Sequence, residues 1–228
     1  MTGRRLRPFF SYFGSKWGHA PKYPLARYRT IIEPFAGAAG YSLLYPDHNV
    51  ILCDVNPTVT RLWRYLISAN PQRILDLPQQ KSDRLSEAER DLIGFWYGDA
   101  RVSPRNKPGS WGRWGPRIRA RIAAQVPRIR HWRVVDGDYR KLPDVEATWF
   151  IDPPYQQYGH YYIKGSNQLD YAALAKWCRS RLGQVIVCEA EGATWLPFQH
   201  FRASIRATVK TKRENPTNEV VWYQNTPR

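Results

Sequence analysis

Short apolar runs alternate with amphipathic stretches over much of this 228-residue chain. Five runs are rich in aliphatic and aromatic residues and too short for helices, which is typical of strands buried on both faces of a parallel sheet. These predicted strands cover residues 30–33, 49–54, 132–136, 147–152 and 184–189. Between several of them, apolar residues recur every three or four positions, as in amphipathic helices.

The helices predicted from this spacing cover residues 38–45, 56–68 and 170–182. The alternation of strands and helices favours an α/β fold in which helices cover both faces of one sheet. The C-terminal part differs, because residues 201–210 and 219–225 are strand-like and are joined by a segment that contains Pro and Asn. We therefore predict a mixed sheet that ends in an antiparallel hairpin.

The middle of the chain interrupts this alternation. Residues 71–130 contain no clear apolar strand, and residues 101–133 hold ten Lys and Arg residues but no Asp or Glu. Trp111 and Trp114 lie among these charges, where we favour a small core over stacking on bases. We predict an insertion over residues 57–131, between the second and third strands.

The charge of the chain favours a nucleic-acid partner. Lys and Arg number 35 against 19 Asp and Glu, which gives a formal net charge of +16. Such an excess suits a polyanion, and its clustering favours nucleic acid over a general role in solubility.

The cysteines and the apolar runs bear on the compartment. Cys53, Cys178 and Cys188 lack the spacing of a zinc site and have apolar neighbours, so we expect small core residues in a reducing compartment and no metal. We find neither a run of about 20 apolar residues nor the apolar region of a secretory signal, and therefore expect a cytoplasmic protein that does not enter a membrane.

A turn of small residues follows the first predicted strand. From Ile31 the sequence reads I-I-E-P-F-A-G-A-A-G, in which Gly37 and Gly40 permit backbone shapes and close approaches that a Cβ would block. The second predicted strand ends in Asp54, a position from which carboxylates bind ribose hydroxyls in dinucleotide folds. The motif is typical of a nucleotide-like ligand site, and a turn used only for packing is the alternative.

The fourth predicted strand runs directly into Asp152-Pro153-Pro154-Tyr155. A central strand cannot contain these prolines, which lack an N–H and have a fixed φ, so the strand must end in a stiff turn. A carboxylate, backbone carbonyls and an aromatic ring together suit a planar group that carries an NH₂, such as an adenine rotated out of a duplex. A proline turn without a ligand is the alternative, and the nucleoside-type motif earlier in the chain disfavours it.

With these motifs in this order, the chain resembles the Dam-type, alpha-group N6-adenine-specific DNA methyltransferases. The resemblance extends from Tyr12 to Tyr155. It includes Y-F-G-S-K at residues 12–16, which is similar to the family's N-terminal motif, although Ser15 replaces a commoner glycine. The family includes bacterial and phage enzymes, and the small size of the chain fits a phage or prophage copy.

The resemblance implies a Rossmann-like fold that uses S-adenosylmethionine, with residues 1–56 and 132–228 as the catalytic domain and residues 57–131 as a DNA target-recognition region. The residues implied to bind the cofactor are Tyr12, Lys16, Phe35, Gly37, Gly40, Asp54 and Asp138, with Asp136 as a competitor for the last position. The residues implied to hold the target adenine beside the methyl group are Asp152, Pro153, Pro154 and Tyr155. The basic residues that we expect to contact double-stranded DNA are Arg105, Lys107, Arg113, Arg117, Arg119 and Arg121.

The implied reaction transfers a methyl group from S-adenosylmethionine to N6 of an extruded adenine, as in restriction–modification enzymes. Two alternatives stay open. One is methyl transfer to RNA or to a protein glutamine, for which related proline-turn motifs usually carry Asn in place of Asp152. The other is a DNA-binding relative without catalysis, which the intact Lys16, Asp54 and Asp152 disfavour.

Overall fold

A computed structural model describes residues 5–162, 165–201 and 218–226. Within these residues, seven strands form one sheet. Five of them are mutually parallel: β1 Thr30–Glu33, β2 Asn49–Asp54, β3 Arg133–Asp136, β4 Ala147–Ile151 and β5 Gly183–Ala190. The other two are β6 Gln199–His200 and β7 Glu219–Thr226, and β7 is antiparallel to both β5 and β6.

The strand order is β3-β2-β1-β4-β5-β7-β6. Its parallel part is the doubly wound order of Rossmann sheets, which reverses between β1 and β4. The topology confirms the predicted Rossmann-like α/β fold with a mixed sheet and an antiparallel C-terminal pair. Residues 202–217, which include most of the first predicted hairpin strand and its connection, lie outside the described residues.

The α-helices of the described residues are α1 Pro57–Ser68, α2 Pro71–Leu75, α3 Glu87–Phe95, α4 Pro116–Gln125 and α5 Tyr171–Arg179. The side chains of Asn56 and Asp170 cap α1 and α5 by accepting hydrogen bonds from the backbone N–H groups of Thr58 and Ala173. Such caps satisfy amides that have no partner within the helix. Both helices therefore begin within one residue of the predicted starts.

Both faces of the sheet are buried. Ile31 packs in the core on the side of α1, whereas its neighbour Ile32 packs in the core on the side of α5. Phe150 and Trp149 of β4 alternate in the same way. Every residue of β4 and β5 is buried, which explains why these strands read as continuous apolar runs.

The helix predicted over residues 38–45 is wrong. The segment forms turns and a short 3-10 helix at Ser42–Leu44. Gly37 and Ala39 have φ angles of 44° and 51°, and left-handed residues interrupt a right-handed helix. A Cβ on Gly40 would lie 2.6 Å from the backbone N of Trp17. A segment distant in sequence thus packs on this turn.

The predicted insertion, residues 57–131, packs on the sheet and on itself. α1 covers β2 and β3, and its Val59 and Leu62 lie in the core on that side. α3 packs against α1, and α2 packs against α4. The division between a catalytic domain and a recognition region stays a prediction.

Two expectations drawn from composition concern burial. The side chains of Cys53, Cys178 and Cys188 are all buried, which confirms that they are core residues. In the part of the chain that the structure describes, no helix is long and apolar enough to cross a membrane.

Candidate active site

A cleft opens at the carboxyl ends of the parallel strands, beside the reversal between β1 and β4. The strand ends supply acidic side chains, because Glu33 ends β1, Asp54 ends β2 and Asp152 follows β4. The cleft encloses about 1120 Å³ of empty space, including space open to solvent. All residues that the sequence indicated for a cofactor line it, namely Tyr12, Lys16, Phe35, Gly37, Gly40, Asp54 and Asp138.

The N-terminal motif forms one wall of the cleft. Tyr12 forms a parallel bridge with Arg101, and the backbone N of Phe13 donates to the Arg101 carbonyl at 3.2 Å. Gly40 lies against the other side of this wall, where a Cβ would be 2.9 Å from the backbone N of Lys16. The second glycine after β1 therefore provides space for the Lys16 backbone.

Asp54 stabilises the glycine turn and faces the cleft. Its carboxylate accepts hydrogen bonds from the backbone N–H groups of Gly37 and Asn56, each at 2.9 Å. Burial raises the pKa of Asp54 to about 6, although these backbone N–H groups act in the opposite direction. A carboxylate offers about four acceptor positions, so Asp54 retains capacity for a ligand hydroxyl.

The structure distinguishes between Asp136 and Asp138, the two acids after the third strand that the sequence left as alternative cofactor residues. Asp138 lines the cleft, and its carboxylate accepts hydrogen bonds from the backbone N and the Nε of Arg140 at 2.9 and 2.7 Å. Asp136 is exposed, pairs with Arg64 and does not line the cleft. Asp138 is therefore the candidate cofactor residue.

Asp152 is paired with Lys16. The Lys16 Nζ donates to both carboxylate oxygens, at 2.7 and 2.9 Å, and lies 4.9 Å from the centre of the Tyr155 ring. Burial raises the pKa of Asp152, and Lys16 partly offsets this effect. Burial by itself would lower the pKa of Lys16, but the negative charges of Asp152 and Glu219 hold it well above its usual range.

The turn of residues 152–155 is anchored from behind. The hydroxyl of Tyr171 in α5 donates to the Pro154 carbonyl at 2.6 Å. The carboxylate of Glu189, near the end of β5, accepts a hydrogen bond from the backbone N of Gln156 at 2.7 Å. Burial raises the pKa of Glu189 to about 7. These contacts hold the turn in place from two neighbouring elements.

A second, smaller pocket adjoins the cleft. Its empty space, including space open to solvent, is about 320 Å³, and it is lined by Pro153 and Tyr155 of the proline turn. Lys16, Asp152 and Tyr162 line both the pocket and the cleft. A planar group in the pocket would therefore lie next to a ligand in the cleft.

Three residues of this region escaped the sequence analysis. Glu33 lies in the cleft wall, is 3% exposed and accepts a hydrogen bond from the backbone N of Ser42 at 2.7 Å. Burial raises the pKa of Glu33 to about 8. Its place at the end of β1 was a usable signal. Asn56, which caps α1, and Tyr162 also line the cleft.

A comparison with protein families finds a match in the N-terminal part of the chain. Residues 12–92, somewhat over a third of the chain, match the model of the D12 class N6 adenine-specific DNA methyltransferases. The match confirms the resemblance to the N6-adenine-specific DNA methyltransferases. Over these residues the chain is similar to enzymes that methylate adenine in DNA, and this similarity indicates S-adenosylmethionine as the cofactor. The matched segment contains the N-terminal motif, the glycine turn and Asp54, whereas the proline turn lies beyond it.

Two solved structures are also similar to this chain. One, provisionally described as a methylase of Haemophilus influenzae, has 13% identity and a TM-score of 0.36, over 86% of this chain and 79% of that chain. A SAM-dependent methyltransferase of Neisseria gonorrhoeae has 14% identity and a TM-score of 0.37, over 93% of this chain and 68% of that chain. No curated protein matches the methyltransferase in sequence.

The basic residues predicted to contact DNA divide into two groups. Lys107, Arg113 and Arg117 are exposed and form no ion pair with another described residue. The guanidinium groups of the other three have partners within the protein. Arg105 lies 3.8 Å from Asp99, and Arg119 donates to the Leu77 carbonyl. Arg121 donates to the Pro8 carbonyl and lies over the ring of Trp96. The exposed group is thus better placed for a phosphate.

The two tryptophans of the insertion differ in burial. Trp114 is 5% exposed and its Nε1 donates to the Pro78 carbonyl at 2.8 Å, so its predicted core position is confirmed. Trp111 is 75% exposed, so the core position predicted for it is wrong. The reason is local geometry, because the backbone N of Gly109 bonds to the Tyr97 carbonyl and the chain between Gly109 and Gly112 turns outwards, away from the core.

Proposed function

We propose that this methyltransferase transfers a methyl group from S-adenosylmethionine to N6 of an adenine extruded from double-stranded DNA. The observation that carries the proposal is the junction of two sites. The acidic, aromatic-lined cleft meets the pocket of the proline turn at Asp152. A donor and an acceptor held at such a junction would be in attack geometry, which accounts for about 7–11 kcal/mol of a barrier in favourable cases.

The residues of the cleft fit S-adenosylmethionine. Asp54 and Asp138 provide carboxylates for hydroxyl and amino groups, and Phe35 provides an aromatic wall. At Gly37 a Cβ would lie 3.1 Å from the ring of Tyr12, so glycine at this position lets Tyr12 pack closely on the turn. The bound cofactor supplies a methyl group on a cationic sulfur, and the protein supplies orientation.

The pocket of the proline turn suits the adenine. The Asp152 carboxylate and the Pro153 carbonyl would accept the two N–H bonds of N6, which localises the nitrogen lone pair towards the methyl group. The Pro154 carbonyl is already bonded to Tyr171, so it supports the turn instead. Contact with Tyr155 would offset part of the few kcal/mol that extrusion of a base costs.

The exposed basic loop suits the DNA backbone. Lys107, Arg113 and Arg117 have free guanidinium or ammonium groups for phosphates, and Arg101 connects this loop to the cleft wall at Tyr12. The exposed ring of Trp111 lies in the same loop and would contact bases or sugars. We assign the target-recognition role to this part of residues 57–131, and we expect an enzyme that acts on DNA to work in the cytoplasm.

The decisive test compares Asp152→Ala with Asp136→Ala, which removes an exposed acid outside the cleft. Asp152→Ala should lower the transfer of radiolabelled methyl groups to unmethylated duplex DNA by at least about a hundredfold, because a positioned acceptor in the transition state is lost. Calorimetric binding of S-adenosylmethionine should persist. The assay is run well below the Tm, since the variant leaves the buried Lys16 without its carboxylate.

The same assay decides between the alternatives. Transfer to RNA or to a protein glutamine, without transfer to DNA, would contradict the proposed substrate. DNA binding by the wild-type protein without any transfer would indicate a relative that has lost catalysis. Near-normal turnover by Asp152→Ala would refute the assignment of the proline turn.

A further inference from the structure

The side chain of Lys16 is held by the carboxylate of Asp152. Its ammonium bonds to both oxygens of the carboxylate, and the two side chains are only 8% and 19% exposed. The backbone of Lys16 is held in place by the close approach of Gly40. The resemblance implied a cofactor contact for Lys16, whereas the geometry connects it to the residue that faces the base pocket.

Asp152 lies among groups that oppose a negative charge. Glu33 on β1 and Glu189 on β5 are carboxyl groups that feel its charge, and Cys188 and Tyr162 also face it. Glu219 on β7 faces Lys16 from the other side. Tyr155, on the turn of Asp152 itself, instead favours the ionised carboxylate. The positive charge of the Lys16 ammonium offsets the effect of the opposing groups and favours the ionised form of Asp152.

We propose that Lys16 is a positioning residue that keeps Asp152 ionised and oriented towards the base pocket, and that it therefore acts on methyl transfer through Asp152 and not through the cofactor. The inference rests on the proposed function, since it assigns Asp152 the role of accepting an N6–H bond.

The physical reason lies in the number of acceptor positions. An ionised carboxylate has about four, so two bonds from Lys16 leave room for one N6–H bond. A protonated Asp152 would carry a hydrogen on one oxygen and would be a weaker acceptor. Burial favours the protonated form, and an adjacent cation favours the ionised form. Without Lys16, Asp152 should therefore become protonated at a higher pH than in the wild-type enzyme.

The test uses Lys16→Met, Lys16→Arg and the control Lys22→Met, which removes an exposed lysine from the next turn. Carbon-13 NMR of aspartate carboxyl groups, assigned with Asp152→Asn, follows the protonation of Asp152 without any need for activity. In Lys16→Met, this titration and the acid limb of the kcat profile should both move up by at least about one pH unit. The Kd for S-adenosylmethionine should change less than about threefold, a difference of about 0.65 kcal/mol.

Lys16→Arg keeps the cation, so the acid limb should stay where it is in the wild-type enzyme and kcat should be partly restored. A large rise in the Kd for S-adenosylmethionine with an unmoved acid limb in Lys16→Met would overturn the inference. If Lys16→Met does not fold, an acid limb that moves up in Lys16→Arg, which keeps the cation, would overturn it. An inactive wild-type protein would refute the proposed function, yet the NMR titration would still decide whether Lys16 holds Asp152 ionised. An unmoved titration of Asp152 in Lys16→Met would refute the inference whatever the activity.

Discussion

Gly40→Ala should destabilise the protein, although it adds a single methyl group. The new Cβ would lie 2.6 Å from the backbone N of Trp17 and 2.9 Å from that of Lys16, and backbone atoms cannot rotate aside as side chains do. Overpacking costs about 1–3 kcal/mol, and we expect the upper half of that range here. The lower entropy of the unfolded chain offsets about 0.4–1 kcal/mol. The net loss of about 1–2.5 kcal/mol should lower the Tm by about 2–10 °C for a domain of this size.

The matched control is Gly18→Ala, in the same N-terminal segment. A Cβ on Gly18 has no heavy atom within 4 Å, so only the effect on the unfolded chain remains. Its Tm should be unchanged or raised by about 1–4 °C. Differential scanning calorimetry and the methyl-transfer assay check both variants, and Gly40→Ala should also lose activity because Lys16 moves relative to Asp152. A Tm for Gly40→Ala at or above that of Gly18→Ala would refute the steric reasoning.

Trp111→Ala should shift the Tm by no more than about 2 °C, as is usual for exposed positions. It should nevertheless weaken DNA binding roughly tenfold, because contact of an aromatic ring with a base contributes about 1–3 kcal/mol. Trp114→Ala should instead lose about 3–5 kcal/mol of stability, and equal Tm values for the two variants would contradict the structure. Glu33→Gln should flatten the pH dependence of stability. Because burial raises the pKa of Glu33 from 4.5 to about 8, its contribution is fully present below pH 4.5 and is lost as the pH rises to about 8. Scanning fluorimetry between these two pH values tests this, and parallel curves for wild type and variant would count against a neutral Glu33.

Features that depend on neighbours in sequence were predictable. The five parallel strands follow from apolar runs, and the starts of α1 and α5 follow from the capping residues Asn56 and Asp170. The residues of the cleft were also predictable as a group, because they follow parallel strands whose carboxyl ends meet at one edge of the sheet. Their individual roles in binding and catalysis stay predictions.

Features that depend on distant contacts were not predictable. The turn at residues 38–45 looks helical in the sequence, and only the packing of Trp17 and Lys16 on Gly40 shows why it is not. Asp136 and Asp138 lie two residues apart, yet Asp138 lines the cleft whereas Asp136 lies outside it and pairs with Arg64. Trp111 and Trp114 have similar neighbours, and the backbone path alone separates them.

The order of motifs along the chain, by itself, was sufficient to indicate the Rossmann-like sheet, the cofactor and the class of reaction, because turns, caps and strand ends are written in short stretches of residues. The partnership of Lys16 with Asp152 was decided only by the tertiary structure, which brings together two residues 136 positions apart. A buried charge takes its state from whatever group the fold places beside it, and no local pattern contains that information.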